Sequence, residues 1–171
     1  AQQMLTPAGQ LLTLQEAARR VQGGLSAWKG LADKPELLQE ALRLIDECKT
    51  CAVAPETLFA AAEESEDAVL AEKLSDLAQI LTAYERLCEE SLPDPRDRLT
   101  HLRDRLAESH TLDGAAVYLD GFLGFTVQES AVVDAMLAAG VPLSAAVTCD
   151  TDYPEIFLTG CKTVQQLTRM A

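Results

Sequence analysis

Aromatic residues make up only 5% of this 171-residue chain. Any core must therefore be packed with aliphatic side chains and alanine. Glycine is scarce too, with nine residues. Basic residues are outnumbered: 14 Lys and Arg against 27 Asp and Glu leave a formal charge of −13. That balance excludes a broad nucleic-acid-binding face, because such affinity comes largely from neutralising phosphates. It leaves room for a local basic strip. No run is long and apolar enough to span a membrane. The start, AQQMLTPAGQ, lacks the charged and apolar parts of a signal peptide and reads like a chain cut from a longer one. A phosphate-cradling Gly-x-x-x-x-Gly-Lys-Ser/Thr loop is missing. Its nearest echo, Gly160-Cys161-Lys162-Thr163, puts a cysteine between Gly and Lys and lacks the upstream glycine, so it is read as coincidence. No Ser-His-Asp set or pair of catalytic carboxylates stands out, and no catalytic residue is assigned.

The five cysteines, Cys48, Cys51, Cys88, Cys149 and Cys161, are odd in number and scattered. They do not read as a disulfide framework and fit a reducing cytoplasm. Cys48-x-x-Cys51 has no second pair, and His101 and His110 lie far from it in sequence. Tetrahedral zinc needs four ligands, and a redox motif needs a βαβ setting. The pair is read as two ordinary cysteines near a helix end, and no metal site is assigned.

What is present is 48% hydrophobic sequence rich in Ala, Leu and Glu, enough for one domain or two small ones, mostly helical. Thr6-Pro7 reads as a helix start, with Leu11, Leu14, Ala18 and Val21 as its apolar stripe and Gly23-Gly24 as its end. Residues 25–31 are ambiguous. Trp28 there is either a core anchor or a partner contact. Lys34-Pro35 starts a second helix whose Leu38, Ala41 or Leu42, Ile45 and Cys48 face inward. Pro55 starts a third, which ends in the acidic run 63–67. The longest helix spans about Asp67 to Glu90. Leu70, Leu74, Leu77, Leu81, Tyr84 and Cys88 alternate steps of four and three along it, the seam of a bundle spine. Asp94-Pro95 starts another helix, to about Ser109, with Leu99, Leu102 and Leu106 inward. Arg98, His101 and Arg105 share a different face of it, with Arg96 and Arg103 nearby. Two readings stand: contact with DNA phosphates, or a solvated face balanced by Asp94, Asp97, Asp104 and Glu108.

At Thr111-Leu112-Asp113-Gly114 the helical period stops. Ala115 to Leu119 reads as a buried strand ending on Asp120, followed by a glycine-loosened corner, Gly121 to Phe125. Thr126-Val127-Gln128-Glu129 is a capping box. The helix it opens, with Val132, Met136 and Ala139 on one face, closes at Gly140. Leu143 to Cys149 is a second apolar run. Strand, helix, strand implies a parallel βαβ unit. Residues 153–157 read as a loop, and Thr163 to Met170 as a final amphipathic helix. Asp120, an acid at the carboxyl end of a strand, lies where open α/β sheets bind ligands. It either contacts magnesium or fixes the turn by accepting backbone amides.

The segment Val117 to Glu129, VYLDGFLGFTVQE, resembles the B subunit of the bacterial ATP-dependent helicase/deoxyribonuclease, the AddB/RexB family. The helical segment from Pro35 to Leu58 and the order of strand, loop and helix after Leu143 are similar as well. Val127 stands where the family often has Pro. The resemblance implies that Asp120 matches the magnesium-side aspartate of a superfamily 1 Walker B motif. Gly121 then stands in place of its catalytic glutamate and Gly124 in place of a further aspartate, which is a degenerate, helicase-like form. It implies residues 1–110 as an all-helical, 1B-like region and 111–171 as a partial RecA-like P-loop region. The expected fold class is mainly α with a small α/β part. The parent complex would use ATP and Mg2+ and carry an iron–sulfur cluster, and would pair with a helicase/nuclease A subunit. Together they would process double-strand DNA ends for recombinational repair, acting on single- and double-stranded DNA. The fragment itself is expected to be an inert scaffold without a cofactor. The alternative is a non-enzymatic acidic helical interaction module with a small α/β tail.

Overall fold

The structure, a computed structural model, describes residues 3–106, 108–150, 152–153 and 155–170. The chain divides into two compact units, Ala1–Asp97 and Arg98–Ala171.

The first unit is all helical. Its helices are α1 (Pro7–Val21), α2 (Pro35–Thr50), α3 (Pro55–Glu64) and α4 (Ala68–Glu90). The first three begin with proline, whose fixed φ suits a first helical position and whose missing N–H costs nothing there. The Thr6 hydroxyl accepts from the Gly9 amide at 3.1 Å, and the Asp67 carboxylate accepts from the Val69 and Leu70 amides that open α4. α4 is the spine, packed against α1 and α3. Ile80, Leu81 and Tyr84 of α4, Leu14 of α1 and Ile45 of α2 are fully buried. Each large aliphatic side chain buried in this way contributes roughly 1.5–3 kcal/mol. Two inward assignments move. Leu70 is 47% exposed because the seam is covered only from Leu74 onward. Ala17 and Gln10 are buried in α1 beside Leu14 and Ala18, a broader stripe than the sequence shows.

The ambiguous segment 25–31 is held by one buried acid. The Asp76 carboxylate, 2% exposed, accepts from the Ser26 and Trp28 amides at 2.9 Å. Leu25 and Leu31 are thereby fixed in the core, and Trp28 packs half-buried against it.

The second unit comprises α5 (Arg98–Leu106), β1 (Val117–Asp120), α6 (Val127–Ala138), β2 (Leu143–Ala146) and α7 (Leu158–Met170). β1 and β2 are parallel, with Val117 opposite Leu143 and Asp120 opposite Ala146. The βαβ unit is therefore formed, and α5 packs on α6. The Thr126–Glu129 capping box is complete: Thr126 Oγ1 accepts from the Glu129 amide at 3.2 Å, and the Glu129 carboxylate accepts from the Thr126 amide at 2.7 Å. At the other end Gly140 (φ 74°) donates to Leu137, and Val141 donates to Met136. This is the left-handed glycine stop that satisfies the last carbonyls of a helix.

Four expectations change here. The helix expected from Asp94 begins at Arg98, after a 3-10 turn over Pro95–Asp97. Asp94 is turned into the first unit instead, and its carboxylate caps that turn by accepting from the Arg96 amide at 3.0 Å. β1 is not buried: Tyr118 is 78% exposed, and only Val117 and Leu119 are half-covered. The second run is strand only to Ala146. The final helix starts at Leu158, earlier than expected. Gly160 is what admits it, because a Cβ there would lie 2.0 Å from the Thr148 carbonyl oxygen. Pro154, within the expected loop 153–157, lies outside the described residues.

Candidate functional site

Asp120 closes β1 at its carboxyl end, with its side chain exposed. Its carboxylate accepts no hydrogen bond and joins no ion pair among the described residues. The next residue, Gly121, has φ 77° and open space where a side chain would go. A left-handed backbone of this kind strains any residue with a Cβ. The corner then runs through Phe122 and Phe125, whose rings stack at 5.2 Å. It is tied down by the Thr163 hydroxyl of α7, which donates to the Leu123 carbonyl at 2.8 Å. Thr163 is 2% exposed. Gln166 donates to Ser130 Oγ at 2.7 Å, and Ser130 Oγ donates to the Thr126 carbonyl. α7 therefore positions both the corner and the start of α6. Sequence reading misses this role of Thr163. Its only local signal is a small polar residue on an amphipathic helix.

Arg98, His101 and Arg105 lie on one face of α5, all exposed. Positions i, i+3 and i+7 align along a helix, and Arg98 and Arg105 are separated by about 10 Å along the axis. None of the three forms a hydrogen bond or ion pair among the described residues. Three of the four acids expected to balance them are engaged elsewhere, whereas exposed Glu108 lines the same open groove as Arg105. Asp97 accepts from Lys49 Nζ at 2.7 Å, and Asp94 accepts from Tyr84 Oη at 2.8 Å and Gln10 Nε2 at 2.9 Å. Asp104 pairs with Arg103 next to it. Arg96, near this face in sequence, pairs with Asp46 in the first unit. Arg105 also borders an open groove of about 500 Å³ with Leu102, Leu106, Thr111, Leu112 and Met136. Leu102, expected inward, is 41% exposed there. None of the residues lining the groove is aromatic.

The Lys49–Asp94–Asp97–Tyr84–Gln10 cluster has no counterpart in the sequence expectations. Lys49 is 6% exposed and Asp94 fully buried. Burial and the Asp94 charge push the Tyr84 phenol far above its ordinary value. Burial raises the Cys88 thiol to about 11. Burial also raises Asp46, with Arg96 opposing. Every member has a partner within the cluster, which makes it a clasp closing α1, α2 and α4. Cys48 is buried and Cys51 exposed, and no group of three or more metal-ligating side chains is gathered among the described residues. Among those residues no helix is long and apolar enough to cross a membrane.

A family model described as "ADDB, N-terminal" matches residues 1–171. Among curated proteins, the chain is 30% identical over 170 residues to the B subunit of the ATP-dependent helicase/deoxyribonuclease of Acetivibrio thermocellus, covering 96% of this chain and 15% of that protein. It is 41% identical over 111 residues to the protein of the same name from Desulforudis audaxviator, covering 63% of this chain and 10% of that one. It is 33% identical over 138 residues to the Symbiobacterium thermophilum protein of that name, covering 78% and 12%. The chain thus spans only a small part of the length of these relatives.

Proposed function

The chain belongs to the ADDB, N-terminal family, and from that premise we propose that it serves as a non-hydrolysing scaffold segment of a helicase/deoxyribonuclease B subunit. In this reading it works within a complex that processes double-strand DNA ends for recombinational repair, beside a helicase/nuclease A subunit. ATP, Mg2+ and an iron–sulfur cluster belong to that complex, and none is assigned a site of its own on these residues. Residues 1–110 are read as 1B-like and 111–171 as part of a RecA-like region with a degenerate Walker B motif at Asp120.

The observation that carries the reading is the pair Asp120–Gly121. The acid stands free at the carboxyl end of a parallel strand, and the next backbone position is left-handed, suited to glycine rather than glutamate. A hydrolytic site needs a group there to orient the attacking water. The exposed faces of β1 and β2 support membership of a larger sheet. A self-contained interaction module would cover them. The α5 face of Arg98, His101 and Arg105 is the part proposed to touch DNA.

The test uses the assembled two-subunit complex with substitutions in its B subunit. Asp120→Ala is expected to leave ATP hydrolysis by the complex unchanged, whereas Arg98→Ala/Arg105→Ala is expected to slow end processing. Loss of ATP hydrolysis in the Asp120 variant would overturn the non-hydrolysing assignment. Unchanged end processing in the arginine variant would remove α5 from the DNA path.

A further inference from the structure

Cys149 and Cys161 are two of the scattered thiols of the sequence. The fold brings their sulfurs to 3.0 Å, both partly buried and both free. Two backbone segments are pressed together at this point. The missing side chain of Gly160 lets the first turn of α7 lie directly on Thr148 and Cys149, with the position of a Cβ only 3.6 Å from the Cys149 Cα. Bonded sulfurs lie about 2.05 Å apart, so closing the bond asks for a shift of roughly 1 Å in a place where the backbones are already in contact. The Cys161 thiol also faces the Asp150 carbonyl at 3.7 Å. The hydrogen bond between the two thiols raises Cys149 above its ordinary value, which fits a shared proton in the S···S contact. Cys48 and Cys88 are buried in the first unit, and Cys51 is exposed.

We propose that Cys149 and Cys161 form a reversible dithiol–disulfide pair, oxidised by small-molecule disulfides such as oxidised glutathione, that staples the segment following β2 to the first turn of α7. The chemistry balances without a further reactant. One cysteine thiolate attacks a sulfur of the glutathione disulfide, forms a mixed disulfide and releases one glutathione thiol. The second cysteine thiolate then attacks the mixed disulfide at the protein sulfur, closes the Cys149–Cys161 bond and releases a second glutathione. Two S–H groups of the protein are oxidised and one disulfide of the oxidant is reduced. The staple acts at the end of the sheet that carries Asp120. β2 ends opposite it at Ala146, and α7 holds the corner after Asp120 through Thr163. Oxidation therefore tightens the loop between the cysteines and the helix that positions that corner. This inference does not depend on the DNA reading above.

The experiment equilibrates the reduced full chain in glutathione buffers of increasing oxidised fraction, quenches with acid, alkylates the remaining thiols and maps peptides without reduction. The expected result is one intramolecular link, Cys149 to Cys161, with Cys48 and Cys88 still alkylated. In Cys161→Ser the glutathione adduct on Cys149 should accumulate at least about tenfold over the unsubstituted chain, because the resolving thiol is gone. Chymotrypsin cleavage after Phe157, inside the closed loop, should slow by about tenfold on oxidation, because the loop must open locally to be cut. Separate glutathione adducts on both cysteines, or thiols that stay reduced across the series, would overturn the pair. Linkage with an unchanged cleavage rate would overturn the staple.

Discussion

In the first unit α4 sends Ile80, Leu81 and Tyr84 into a core closed by α1 and α3. In the second, β1 leaves Tyr118 78% exposed and β2 leaves Ser144, Ala145 and Ala146 open. The charged groups at the clasp and at the candidate site differ as well. Lys49, Asp94 and Asp97 of the first unit are consumed by one another, whereas Asp120, Arg98 and Arg105 of the second stand without protein partners among the described residues. A buried cluster that satisfies its own polar groups gains rigidity. A unit with few buried apolar contacts and free charges has less local stability and keeps its chemistry available. The proposed scaffold reading makes the helical unit the support and the α/β unit the surface that meets something else.

The comparison can be broken most forcefully at Asp94. Asp94→Ala removes the acceptor of Tyr84, Gln10 and the Arg96 amide and leaves buried Lys49 with Asp97 alone. A loss of about 3 kcal/mol is expected. Urea unfolding followed at Trp28, the single tryptophan, which lies in the first unit, is the readout. Alkaline pH probes the same clasp. Unfolded Cys88 and Tyr84 ionise at their ordinary values of 9.0 and 10.0, while the folded groups resist, Cys88 up to about 11. The unfolded state thus loses protons first. This stabilisation is fully present below pH 9 and is lost as pH rises through the folded values, by up to about tenfold in the folding equilibrium per pH unit and per group. Cys88→Ala should reduce the part that begins near pH 9 in a Trp28 unfolding series, leaving the share of the Cys48 thiol, which burial also raises.

In the second unit, Gly160→Ala drives a Cβ against the Thr148 carbonyl and should cost about 1–3 kcal/mol. Faster amide exchange in α7 would register it, with the Trp28 transition as the control. The smallest expected effect is Thr126→Ala, about 1 kcal/mol, seen as faster exchange in the first turn of α6. An effect of Gly160→Ala as large as that of Asp94→Ala would dissolve the contrast between the units.

Much of this fold was legible because its signals are local. Thr6-Pro7, Lys34-Pro35, Ala54-Pro55 and Asp67 each fixed a helix start within a few residues, and Thr126, Glu129 and Gly140 fixed both ends of α6. What stayed hidden is non-local. Gln10 meets Asp94 across 84 residues, and no periodicity announces it. The 3-10 turn at Pro95 is capped by the same Asp94 carboxylate, a buried role that nearby sequence does not announce. The apolar run ending at Leu119 marked a strand but not its exposure, because burial depends on neighbours outside the run. At the candidate site, Asp120 and the face of Arg98, His101 and Arg105 were visible as residue types in a pattern. The diversion of Asp94 and Asp97 away from the arginines, and the hold of Thr163 on the corner, were not.

The most direct test of the division between support and surface is single-stranded DNA binding by this chain across a low-salt series, beside Arg98→Ala/Arg105→Ala. Two lost phosphate contacts should weaken binding and flatten the slope of log affinity against log salt by about 1.4, while the Trp28 unfolding transition stays in place. No binding at low salt, or binding that the double substitution leaves unchanged, would contradict the assignment of α5 as the face that meets DNA.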